Sequence, residues 1–210
     1  MCCVNAKKEE YEKCIGEIRH YVFVAYALEK YVKKIWYDIA AIDAYMTIKK
    51  RDEIRYPQSL FLETAVEALI NDAFIEVGAC LDNESIYVKD EKHRRYNCSF
   101  KELKQLVKDS DNRLLPLNEI QSKIDYLMQL YDNKYKDIRN KTIAHNDLEK
   151  TFDRNFIDIS IDQILVDFKK ICSECFEILS LCLGCSLSKN YDMFYEEMLS
   201  SLYAIFGKEA

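Results

Sequence analysis

Apolar positions recur along most of this chain at alternating spacings of four and three, the period of a helix face turned toward a core. The longest run comes early. Cys14, Ile18, Tyr21, Ala25, Leu28, Val32, Ile35, Ile39, Ile42 and Met46 hold the alternation for more than four heptads. Ile15, Val22 and Trp36 widen the stripe beyond a two-stranded seam, which predicts a helix packed inside a bundle. A helix of that length in a compact domain is expected to bend or break.

Arg51 to Pro57 reads as a connection. A second helix from Ser59 to Leu81 turns Leu62, Val66, Leu69, Ala73, Val77 and Cys80 inward. Asp82 to Cys98 is polar and irregular. Ser99-x-x-Glu102 is a capping box, in which hydroxyl and carboxylate satisfy each other's backbone N–H groups, and it opens a short helix. Pro116 starts the next helix, with Ile120, Ile124, Leu127, Tyr131, Tyr135 and Ile138 on one face. After a polar stretch from Glu149 to Asn155, a second box, Ser160-x-x-Gln163, opens a helix carrying Ile164, Phe168, Ile171, Cys175, Leu179 and Cys182. The last piece, Asp192 to Phe206, turns Phe194, Met198, Leu202 and Ile205 inward. No repeat, low-complexity tract or linker divides the chain. The pattern predicts an all-α, up-and-down helical bundle with additional short helices in one domain over residues 1–210. Its core spans about 12–188 and its C-terminal helix about 191–206.

Composition agrees with helices. Four glycines and two prolines against 49% apolar residues leave little turn punctuation for a β protein. The net charge of −6 disfavours a protein that coats nucleic acid by bulk electrostatics, though not a small basic site on an acidic body. The first ten residues lack the apolar region of a signal peptide, and the run from Tyr21 to Leu28 is far too short to span a bilayer. A cytoplasmic protein with reduced thiols and no membrane association is therefore expected. In that setting the Asn-x-Ser/Thr triplets at Asn83, Asn97 and Asn140 carry no glycosylation meaning.

Cys172-x-x-Cys175 and Cys182-x-x-Cys185 look at first like metal knuckles. Inside a continuous helix, however, their thiols would spread over about 20 Å, so one ion could not collect them. All four fit the helical pattern as small apolar residues on a buried face, and no metal is expected. His20 lies beside the first apolar stripe and reads as a packed or surface residue. His93-Arg94-Arg95 is a compact cationic patch; a solvated loop is the simpler reading and a phosphate-contacting loop the other. Four scattered glycines make no phosphate loop, and no Ser nucleophile motif occurs, which disfavours kinases, P-loop and Rossmann enzymes and Ser hydrolases.

Asp137 to Asp147 is different. It sets Arg139, Asn140 and His145 within seven positions in a chain with three histidines. Histidine takes and gives protons near neutral pH, and arginine is a permanent forked donor suited to phosphate. Lys134, Lys136, Arg139 and Lys141 form a local basic strip at the end of an apolar-faced helix. On residues alone, a polar helix end would account for this segment.

Arg139-Asn140-x-x-x-x-His145 resembles the Arg-x(4–6)-His motif of the HEPN superfamily (higher eukaryotes and prokaryotes nucleotide-binding). The wider string from Arg139 to Asp147 is similar to HEPN proteins of the abortive-infection U type. The likeness is specific at the motif and loose over the helices from about Cys14 to Cys185. It implies a helical bundle of HEPN type, a homodimer with two motifs across a shared cleft, and metal-independent endoribonuclease activity without a cofactor. Many such proteins act as toxins or phage-defence effectors, so RNA is the implied substrate and an antitoxin protein a further partner. By the same resemblance Arg139 stabilises the phosphate, His145 acts as general acid/base and Asn140 orients the groups. Lys136, Lys141, Arg94 and Arg95 are the candidates for holding RNA. The alternative is a non-catalytic helical module that keeps the fold and a vestigial motif. On an unbroken helix residues six apart lie about 120° from each other around the axis. A working site therefore requires a helix ending near Lys141 to Ala144, an arginine that reaches around, or a second chain.

Overall fold

A computed structural model describes residues 2–50, 58–81, 98–110, 115–139, 160–187 and 191–205, with side chains from His20 onward and that of Arg139 excepted. Seven helices and no strand occur among these residues. They are α1 (Cys2–Lys50), α2 (Gln58–Leu81), α3 (Phe100–Asp109), α4 (Leu117–Lys134), α5 (Lys136–Arg139), α6 (Ile161–Leu183) and α7 (Tyr191–Ile205). The all-α bundle expected from the periodicity is the fold.

The first helix corrects one expectation, because it runs unbroken for 49 residues, about 74 Å at 1.5 Å per residue. Its sequence permits this: no proline and a single glycine, Gly16, occur between Cys2 and Lys50, and only proline forces a break. Packing supplies the rest, since α2, α3, α6 and α7 all lie against this one helix. Its stripe is buried as the spacing predicts from Tyr21 through Ala25, Leu28, Val32, Ile35, Ile39 and Ile42, and Trp36 joins it. The side chains of Cys14, Ile15 and Ile18 lie outside the described residues. Lys49 and Lys50 in the last turn complement the negative end of the helix dipole.

Both capping boxes form their forward bond. Ser99 Oγ accepts from Glu102 N at 3.3 Å and Ser160 Oγ accepts from Gln163 N at 3.2 Å. Pro116 takes the N-cap position of α4 rather than its first turn. The inward face of α4 is fully enclosed, with Ile120, Ile124, Leu127 and Tyr131 buried against α3 and α6. α7 packs on α1 through Trp36 against Tyr191 and Tyr37 against Phe194, with ring centroids 4.9 and 4.2 Å apart. Because α7 packs mainly on α1, its inward strip is narrow. Tyr203 is buried on it, whereas Ile205, expected inward, is exposed.

One polar group inside the α1–α2 packing has a measurable consequence. Asp38 is buried, and its Oδ2 has no hydrogen-bond partner among the described residues. Lys34, whose charge acts on Asp38, donates instead to Asp72 and Glu76, at 2.7 and 2.6 Å. Burial first, then the charge of Asp72, pushes the Asp38 carboxyl up to about 6. In the unfolded chain it returns to about 4. Between those values the native state binds more protons than the unfolded state, so stability rises as pH falls from 7 toward 5. Urea midpoints across that range should show this gain in wild type and its loss in Asp38→Asn; parallel curves would contradict it.

Candidate functional site

The helix leading to Arg139 is not one helix. Tyr135 ends α4 with φ −117° and ψ −25°, a departure of roughly 50° in φ from helical values. A separate helical segment, α5, follows over Lys136–Arg139. The break therefore falls ahead of the motif, and the straight helix through the whole segment is not what forms. Arg139 is placed by its backbone as the last residue of α5. Asn140, Lys141, His145, Arg94 and Arg95 lie outside the described residues, as do the connections at 51–57 and 82–97 and the polar stretch from Glu149 to Asn155.

Around the break sits a polar cluster, buried at Tyr135 and Asp167 and open to solvent at Lys134 and Gln163. The buried Tyr135 hydroxyl donates to Asp167 Oδ2 on α6. Lys134 Nζ donates to the same oxygen at 3.0 Å, and Gln163 Nε2 donates to Asp167 Oδ1 at 3.1 Å. The Tyr135 ring meets Phe168 at 5.2 Å and Phe74 at 5.8 Å between centroids. Burial and then the bond to Asp167 push the Tyr135 phenol well up. At Asp167 burial alone would raise the carboxyl. The bonds from Tyr135, Lys134 and Gln163 together outweigh it and hold the group below its usual range, as a charge.

The basic strip is thereby partly occupied. Lys134 is committed to Asp167, and Lys136 pairs with Asp132 one turn back at 3.1 Å. An i,i+4 pair as exposed as the second contributes only about 0.3–0.5 kcal/mol, so a phosphate can displace it. Asp167 escaped the sequence reading, although a signal existed: a carboxylate lies beside Ile164, Phe168 and Ile171 on an otherwise apolar face.

The cysteines are settled by position. Cys172, Cys175 and Cys182 are buried on α6, and burial pushes their thiols up, that of Cys182 to about 12. Cys185 departs from the continuous-helix reading. α6 ends at Leu183, Gly184 takes the left-handed conformation at φ 65°, and Cys185 follows exposed. No group of three or more His, Cys, Asp or Glu suited to a metal occurs among the described residues. A thiol reagent added to the native protein should label Cys185 long before Cys172, Cys175 or Cys182, read by peptide mass spectrometry. Equal labelling of all four would contradict this burial. No described helix is long and apolar enough to cross a membrane.

Comparison with known families finds HEPN_AbiU2, described as AbiU2, matching the chain over residues 25–197. That span takes in α2 to α6, about half of α1 and of α7, and the whole motif from Arg139 to His145. No curated protein and no solved structure matches the chain.

Proposed function

The chain belongs to the HEPN_AbiU2 family, and from that premise we propose that it is a metal-independent endoribonuclease acting in abortive infection, with Arg139, Asn140 and His145 as its working groups. The observation that carries this reading is the family match running through the motif. The site's construction supports it: Arg139 closes a short helical turn whose first step is fastened into the core by Tyr135.

The chemistry is transesterification at phosphorus. One His145 takes the proton of a ribose 2′-OH, whose oxygen attacks the adjacent phosphorus. The P–O5′ bond breaks, and the departing 5′-oxygen receives a proton from a second imidazole, leaving a 2′,3′-cyclic phosphate and a 5′-OH. A homodimer with both motifs facing one cleft supplies the two imidazoles, and also removes the difficulty of six-residue spacing within one chain. Arg139 stabilises charge developing on the non-bridging phosphate oxygens, and Asn140 orients the phosphate. Lys136, Lys141, Arg94 and Arg95 hold the flanking backbone, which suits an acidic protein that meets RNA only at a small cleft. A cognate antitoxin would act by covering that cleft.

The test is cleavage of RNA by the purified chain in EDTA, alongside Arg139→Ala and His145→Ala. Cleavage by wild type that both substitutions remove supports the reading. RNA left intact by all three would favour a non-catalytic helical module.

A further inference from the structure

α4 and α5 form one run in the apolar pattern and two elements in the structure, parted at Tyr135. Nothing local forces the step. Neither glycine nor proline occurs between Leu117 and Arg139, and the Tyr135 N–H still donates to Tyr131 O at 2.8 Å. What holds Tyr135 lies across the bundle. Asp167, 32 residues on, offers a buried carboxylate that accepts the Tyr135 hydroxyl. Phe74 and Phe168 clasp the Tyr135 ring from α2 and α6. Lys134 and Gln163 donate to the same carboxylate, so three donors from two elements converge on it.

A charged group on a buried face is costly unless it is fully bonded, so Asp167 needs a reason to be there beyond packing. Arg139 supplies one. It closes the turn that begins directly after Tyr135, about 6 Å along the axis from the step at 1.5 Å per residue. A swing of α5 by 10–20° about that step would move the Arg139 backbone by about 1–2 Å, and misplacement of about 1 Å can cost roughly 100-fold in rate.

We propose that the buried Tyr135–Asp167 hydrogen bond is the positioning device of this site: it sets the direction of α5 and thereby the placement of the Arg139 backbone relative to the scissile phosphate. Tyr135 and Asp167 are positioning residues, and neither touches RNA. The role in catalysis rests on the ribonuclease reading above; the control of α5 does not.

Tyr135→Phe keeps the ring and removes the bond, and Asp167→Asn keeps the shape and removes the charge. Each is compared with wild type for cleavage of a short RNA in EDTA and for amide hydrogen exchange. The expected result is a kcat lowered by roughly 10- to 100-fold with KM within about twofold. Exchange at Lys136 to Arg139 should quicken while Ile171 to Leu179 keep wild-type exchange. A folded Tyr135→Phe with wild-type kcat, or with wild-type exchange in α5, overturns the proposal. Should wild type itself leave RNA intact, the ribonuclease reading fails with it, and exchange still decides whether this bond controls α5.

Discussion

Arg139→Ala is expected to slow RNA cleavage by about 10²–10³-fold, the usual loss when one donor to developing charge is removed. His145→Ala is expected to slow it by about 10²–10⁴-fold, the range for a lost general acid–base. Both losses belong to kcat more than to KM, because each group works hardest when charge or a proton is moving. The double variant should be little slower than the worse single one, since residues that act as a unit do not lose rate additively. Lys136→Ala should behave differently. Its partner Asp132 is one turn back on the helix surface, so its removal weakens binding and salt dependence with kcat nearly unchanged. Single-turnover rates on one short RNA separate these cases. Arginine or histidine variants that retain wild-type kcat would remove the motif from the chemistry.

Phe168→Ala carries the largest expected effect on the fold. Its side chain is 1% exposed and stands edge-on to both Phe74 and Tyr135, at 5.0 and 5.2 Å between centroids. Truncation loses the transfer energy of the ring and leaves a cavity, about 3–5 kcal/mol in all. The two ring pairs account for about 0.5–1.5 kcal/mol each beyond area alone. In a chain of this size that lowers Tm by roughly 6–20 °C, at about 2–4 °C per kcal/mol. Val166, two positions away and exposed, is the internal control: Val166→Ala should shift stability by no more than about 0.5 kcal/mol. Thermal unfolding followed by circular dichroism reads both. A Phe168→Ala protein within about 1 kcal/mol of wild type would mean that this aromatic cluster is not a closed core.

Helix identities were legible because burial follows period: Leu28, Val32, Ile35 and Ile39 lie on the predicted face and are buried. Caps were legible because Ser99 and Ser160 act on backbone within three residues of themselves. What depends on contacts distant in sequence was not. The break at Tyr135 leaves no local mark, because Tyr131, Tyr135 and Ile138 keep the helical spacing and the group its hydroxyl bonds, Asp167, lies 32 residues on. Continuity of α1 is likewise decided by the helices stacked along it. Ile205 has inward spacing, but α7 packs mainly on α1 and leaves it outside. Cys185 is the opposite case, since Gly184 marked the helix end and the cysteine spacing drew the eye past it. At the site the sequence supplies Arg139, Asn140 and His145 by motif, and the structure adds the buried fastening beneath Arg139.

The most direct test of the account is incubation of the wild-type chain in EDTA with a short end-labelled RNA and with the same strand carrying 2′-deoxyribose at every position. Attack by the 2′-oxygen predicts cleavage of the RNA to fragments ending in a cyclic phosphate, with the deoxy strand intact. An RNA left whole, or a deoxy strand cut as readily, would contradict it.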